Sequence, residues 1–205
     1  MVSPLARLNS GVMRPRDAAS FYTQPAHQFK YWEKEGVLLK VAHGYYAHIP
    51  EAKRGRDWRP EIEALALALG QADYGIHGAV LMHISAARIH GAIPRALAVA
   101  VVAIPKRRPA LKTNYGRIIF VQRNVEAIKR VRIETELATG WCASIEQTAL
   151  DLANRPNLIA GLSTISQDAA CNLFFRSRRE KLNALLEEQR LGTAYTRLRK
   201  WTKNA

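Results

Sequence analysis

Apolar and polar positions change period along the chain, and each change marks an element. Pro15 can sit in the first turn of a short helix over Pro15 to Phe21, where its missing N–H costs nothing. Thr23-Gln24 then makes a tight break, and Pro25 opens a second helix running to Glu35 and ended by Gly36. At about 100° per residue, Ala26, Phe29, Trp32 and Glu33 share the side expected to bury. Gln24, His27, Tyr31 and Lys34 fall opposite, flanked by Gln28 and Lys30, and this outward set contains no carboxylate. Val37 to Lys40 and Tyr45 to Ile49 read as strands joined across Val41-Ala42-His43-Gly44, with Val37, Leu39 and Val41 inward and Leu38 and Lys40 outward. Tyr45 and Tyr46 read as packing residues with wet hydroxyls. Helix, turn, helix and hairpin is the order of a winged helix-turn-helix, expected over residues 1–58.

Residues 51–60, EAKRGRDWRP, read as an exposed basic linker, after which the pattern changes again. Pro60 precedes a helix whose Ile62, Leu65, Ala66 and Leu69 form a core-facing stripe. Ala79 to Met82 reads as a brief strand, Ile84 to His90 as a short helix stopped by Gly91, and Leu97 to Ile104 and Arg117 to Gln122 as strands. Val131 to Leu137 alternates apolar with charged residues. Ser144 and Gln147 form a capping box for a helix burying Ile145, Ala149 and Leu152, and Pro156 stops it. Further helices are expected over Leu162 to Phe174, Ser177 to Gln189 and Thr193 to Thr202. The fold class is α+β: a winged helix-turn-helix, then a mixed α/β domain over residues 59–205 with a helical tail.

Charge adds a partner. Lys and Arg number 31 against 17 Asp and Glu, a formal net of +14. Residues 1–59 carry ten basic and five acidic groups, residues 60–175 twelve and nine, and residues 176–205 nine and three, so the excess gathers at the ends. Such an excess favours a polyanion, because each neutralised phosphate releases condensed counterion; ordinary solubilising charge is the alternative. The run Leu97 to Ile104 is too short to span a bilayer, and MVSPLARLNSGVMRPR has no apolar core between its charges, so a cytoplasmic protein without membrane contact is expected.

The outward set of the second helix suits a major groove, where Gln reads adenine edges and Lys guanine edges. Candidate DNA contacts are therefore Gln24, His27, Gln28, Lys30, Tyr31 and Lys34, with Lys40 and His43 of the hairpin beside flanking phosphates; a merely solvated helix face is the alternative. His83 and His90 lie two helical turns apart with no carboxylate or Cys at ligand spacing, so no metal is expected. No phosphate-binding glycine loop or kinase signature occurs. Asp151, with Gln147 and Arg155 on its face, is a weak candidate acid, and a local hydrogen-bond and ion-pair row explains it equally well. Lys106-Arg107-Arg108, in the basic loop 105–112, is a candidate phosphate holder.

Three stretches resemble the AbiEi family of bacterial antitoxins and transcriptional regulators. Trp32-Glu-Lys-Glu-Gly-Val-Leu-Leu-Lys followed by Gly44-Tyr-Tyr is similar to the family's wing; Ala79 to Gly91, with Ser85-Ala and His90-Gly, is similar to its strand and short helix; Gly140 to Pro156 is similar to its E-x-T-x-x-D-x-A helix. Order and spacing carry the resemblance, over residues from about 25 to 156. It implies an operon-repressing winged helix bound to operator DNA. It also implies a C-terminal domain that counteracts a nucleotidyltransferase-like toxin, through a contact that need not be stable. One alternative is enzymatic, the antitoxin acting as an atypical protein kinase on the toxin with ATP and Asp151 as candidate acid; otherwise no cofactor is expected. A further alternative is a plain transcriptional regulator with no toxin partner. A homodimer on DNA is expected because palindromic half-sites usually demand one.

Overall fold

Two sheets and the helices around them make an α+β fold, seen in a computed structural model that describes residues 11–203. Residues 1–10, most of the stretch read as lacking a secretory apolar core, lie outside the described residues. The smaller sheet is three-stranded and antiparallel, in the order β1 (Val12–Met13), β3 (Tyr45–His48), β2 (Leu38–Ala42). The larger is six-stranded, in the order β6 (Leu111–Thr113), β7 (Gly116–Gln122), β5 (Val99–Ile104), β4 (Val80–Leu81), β9 (Thr139–Ala143), β8 (Arg130–Glu134). The β5–β7 and β4–β9 pairs are parallel and the others antiparallel. The helices are α1 (Pro25–Lys34), α2 (Ile62–Tyr74), α3 (His83–Ile89), α4 (Ile145–Asn154), α5 (Ser163–Arg176), α6 (Arg179–Gln189) and α7 (Gly192–Lys203).

The first expected helix is a correction. Residues Pro15–Ala18 make a single 3-10 turn, held by an Asp17 carboxylate that accepts from the Arg14 backbone N–H at 2.9 Å. Beyond Ala18 the chain continues as turns, with the Phe21 and Tyr22 N–H groups both donating to the Ala18 carbonyl, and no regular helix forms. Downstream, α1 ends at Lys34 with Glu35 as its C-cap, and Gly36 follows at φ +67°, a conformation that suits glycine.

The hairpin's facing also differs from the expected one, because both faces of the small sheet are covered. Leu38 packs with Phe29 of α1, Met13, Ala18 and Tyr46, while Val12, Val41, Ala47 and partly buried Leu39 join the core of the larger sheet. Strand β2 extends to Ala42, with an irregular register between Lys40 and Ala42, so the turn shrinks to His43-Gly44.

Helix α2 shows the same effect on a larger scale. A single buried stripe was expected; instead every residue from Ile62 to Gln71 is buried, because α2 packs against β1 of the small sheet as well as β4, β5 and β7 of the large one. The segment between the sheets is exposed as a linker should be, yet it is pinned at its end. Glu136 accepts from Trp58 Nε1 at 3.0 Å and from the Glu61 N–H at 2.7 Å. The chain crosses solvent there, but the core runs through without a break.

Strand β5, VAVVAI, is central and fully buried from Ala100 onward, as an unbroken apolar run requires. Strands β1, β6 and β9 were not legible in the sequence. In β9 the obstacle is Gly140, whose place in a strand is dictated by tertiary contact: a Cβ there would lie 2.3 Å from Gln71 Nε2 and 3.0 Å from Leu67 Cδ2. The α5–α7 segment is less an appended tail than part of the core, to which it contributes Leu182, Leu185, Ala194 and Leu198. No helix among the described residues is long and apolar enough to cross a membrane.

Candidate nucleic-acid interface

Helix α1 is held by one aromatic anchor. Phe29 is fully buried, edge-on to Tyr46 with centroids 5.2 Å apart and 5.5 Å from Trp32, which in turn meets Tyr22 edge-on at 5.4 Å. With Phe29 inward, the helical period turns His27, Tyr31 and Lys34 outward; these and Gln24, the residue that precedes the helix, are all exposed, Tyr31 by 52%. Lys30 is exposed on the flank and Gln28 is half-buried. Ala26 and Glu33, expected to bury, are exposed, because the cluster under α1 is small and ends within a turn of Phe29.

The hairpin stands beside this helix. Lys40 pairs with Tyr46 across β2 and β3, and directly opposed residues share a face, so Lys40 lies on the face that α1 covers. It is exposed, as is His43 at the turn, where Gly44 adopts φ +75°. The eight sequence-derived positions therefore lie on one helix, the residue that precedes it and the adjoining hairpin.

The structure adds neighbours the sequence reading passed over. Asn114, in the β6–β7 turn, donates its Nδ2 to the Lys40 carbonyl and its N–H to the Val41 carbonyl, each at 3.0 Å. The strands beside that turn carry Lys112 directly opposite Arg117, both exposed. Like charges opposed across a ladder are unfavourable unless an anion lies over them. Thr113-Asn114-Tyr115-Gly116 is a turn signal that could have revealed this hairpin.

Other candidate residues turn out to be committed internally. Asp73 of α2 sits between Arg14, Arg108 and the Tyr45 hydroxyl, which donates to its two carboxylate oxygens at 3.1 and 2.9 Å. Arg108 also donates to Tyr45 Oη at 3.0 Å and lies 4.2 Å over the Phe120 ring, so of the three candidate phosphate holders only Lys106 and Arg107 face solvent. Burial first, then the hydrogen bond to Asp73, pushes the Tyr45 hydroxyl pKa up. Burial works against the Arg14 charge, but the Asp17 hydrogen bond and the Asp73 charge outweigh it and raise its pKa.

Asp151 is equally enclosed. Its Oδ1 accepts from Arg123 Nη1 at 2.6 Å and Gln147 Nε2 at 3.1 Å, while Oδ2 has no partner. Burial raises its pKa despite Arg123. Ser144 caps α4 by accepting from the Gln147 N–H at 3.2 Å, but the reciprocal half of the capping box is not made. Gln147 Oε1 accepts instead from the Lys129 N–H and from Gln189 Nε2. Glu146 accepts from the Arg178 N–H at 3.2 Å, and Thr148 donates to the Ser144 carbonyl at 2.7 Å. His83 is buried with its Nε2 3.0 Å from the Arg155 carbonyl, and His90 Nε2 lies 2.7 Å from the Ala143 carbonyl. No group of three or more His, Cys, Asp or Glu placed to hold a metal occurs among the described residues.

A cationic helix face free of packing, a basic hairpin beside it and two opposed cations nearby can grip a phosphate backbone and present amide, imidazole, phenol and ammonium groups to base edges. A scan against protein-family models returns no match, and a search of the curated proteins returns none either.

Proposed function

We propose that this chain is a sequence-reading DNA-binding protein of winged-helix type, with α1 in the major groove and the β2–β3 hairpin as the wing. The observation that carries the reading is the exposed row His27, Tyr31 and Lys34, led in by exposed Gln24, on a helix whose opposite side is anchored by Phe29. In this reading Gln24, His27, Gln28, Tyr31 and Lys34 meet base edges, and Lys30, Lys40 and His43 meet phosphates. Lys112 and Arg117 extend the phosphate track. Binding as a homodimer to a palindromic site follows from the usual half-site geometry.

The resemblance to AbiEi proteins supplies the biological setting we propose: repression of the protein's own operon, and opposition by residues 59–205 to a nucleotidyltransferase-like toxin. Co-expression tests that half, since this chain should restore growth to cells producing the nucleotidyltransferase encoded beside it. Failure of that rescue with DNA binding intact would leave the plain-regulator reading.

The DNA half is tested by gel shifts of the full chain on the duplex upstream of its own gene, at several salt concentrations. Affinity should fall steeply with salt, and Lys40→Ala should lower the slope of log K against log salt by about 1 while weakening all sequences alike. Lys34→Ala and Gln28→Ala should instead change base preference, by about 1–3 kcal/mol at the contacted pair. Salt-independent binding, or an unaltered preference in both base-contact variants, would sink the proposal.

A further inference from the structure

A second nucleic-acid surface lies at the other end of the chain. A cleft of about 470 Å³ opens between α5, α6 and α7, and it is lined by Phe174, Phe175, Tyr195 and the cations Arg179, Arg199 and Lys203. Phe175 is 69% exposed, the most exposed of the large hydrophobic side chains among the described residues. The Phe174 ring lies 6.1 Å from Phe175 and 6.3 Å from Tyr195, and the Arg199 guanidinium sits 6.0 Å over Tyr195. Among the described residues no carboxylate lines the cleft, and none of its three cations takes part in an ion pair. An adjoining depression shares Tyr195, Arg199 and Lys203 and adds Lys200, so the cationic wall continues along α7.

We infer that this cleft binds single-stranded nucleic acid, the aromatic rings stacking on bases while Arg179, Arg199, Lys200 and Lys203 follow the phosphates. Two features select this occupant. An aromatic ring held in water beside exposed cations is the combination that single-strand binding uses, because every base offers a flat face and every linkage a charge. A concavity receives a splayed base more readily than the convex side of a duplex. Carboxylates alone would satisfy the cations and leave Phe175 in water. The excess of nine basic over three acidic groups in residues 176–205 matches a polyanion.

The test is fluorescence anisotropy of the full-length protein with labelled oligo(dT) and oligo(U) of about ten nucleotides, beside the duplex used for α1. Phe175→Ala should weaken single-strand binding by at least about fivefold, and Arg199→Ala and Lys203→Ala should weaken it and flatten its salt dependence. None of the three should alter duplex binding, whereas Lys34→Ala should do the reverse, so this inference and the winged-helix reading fail separately. The side chains of Phe175, Arg199 and Lys203 face solvent, and unchanged circular dichroism and melting would establish that the variants fold. Wild-type protein that ignores both oligonucleotides, or binding unaltered in Phe175→Ala and Arg199→Ala, would overturn the assignment. Competition by polyglutamate as effective as that by oligo(dT) at equal charge would overturn it too, reassigning the cleft to an acidic protein partner.

Discussion

His83 shows how a single residue carries information about the whole fold. It enters α3 at φ +54°, unusual for a residue with a side chain, and lies buried with Nε2 against the Arg155 carbonyl and Nδ1 without a partner. Burial lowers its pKa from 6.5 to about 4. The folded protein therefore binds fewer protons than the unfolded chain between those values. Stability from this site is intact above pH 6.5 and is lost as pH falls toward 4, by about 3 kcal/mol in all. Burial raises the pKa of Glu63 and Asp151, which pulls in the opposite direction as acid is added. The clean readout is therefore a comparison with His83→Asn, a residue that tolerates positive φ. Urea midpoints measured from pH 7.5 to 4.5 should fall less steeply in the variant; identical slopes would refute the assignment. At this scale the sequence was informative about type but not about role. Spacing placed His83 outside any metal pattern, while its engagement with a carbonyl 72 positions away depended on the fold.

Among elements, α2 and α1 make opposite cases. Helix α2 carries Gly70 mid-helix, where glycine is ordinarily worse than alanine by up to about 1 kcal/mol. A Cβ at Gly70 would lie 2.7 Å from the Ala79 Cβ, which is fixed to its own backbone and cannot rotate aside. Overpacking of that kind costs about 1–3 kcal/mol and outweighs the gain in helix propensity. Gly70→Ala should therefore lower the urea midpoint without changing the m-value, and a stabilised variant would show that α2 and β4 can separate. The period of α1 was legible because one face of a surface helix meets water: the row the sequence indicated is exposed, although Ala26 and Glu33, expected to bury, are exposed beside it. The period of α2 was misleading because packing against two sheets leaves it no wet face.

Across the whole molecule, Asp73 ties the segment preceding α1 and the hairpin to the larger sheet. Arg14, Tyr45 and Arg108 come from three separate stretches and converge on this one carboxylate, which like both guanidiniums is largely buried. Replacing it with a neutral amide takes from Arg108 the carboxylate it pairs with, while Arg14 keeps Asp17. Removing one partner of a fully buried pair costs about 3–5 kcal/mol, and the residual exposure here places Asp73→Asn near the lower end. The variant should also loosen the small sheet before global unfolding, seen as faster amide exchange in β1 and β3. Trypsin cleavage after exposed Lys53, Arg54 and Arg56 should quicken as well. Wild-type stability with unchanged exchange and cleavage would show that the apolar contacts of Val12, Val41 and Ala47 and the Asn114 hydrogen bonds suffice to join the sheets.

Local chemistry was enough to establish the helix from Pro25, its glycine stop, its carboxylate-free outer row, the hairpin beside it, the central apolar strand and the basic ends. Each rests on period, turn residue or charge within a few neighbours, quantities a sequence contains directly. Tertiary structure decided the rest. It determined that Leu38 and Leu39 both find cover on opposite faces, that Gly140 belongs in a strand, and that Arg108 turns inward while Lys106 does not. It also gathered Phe175, Tyr195 and Arg199 into one cleft. These outcomes depend on which distant segment arrives to bury a side chain or neutralise a charge, and that is a property of the packed chain rather than of any window along it.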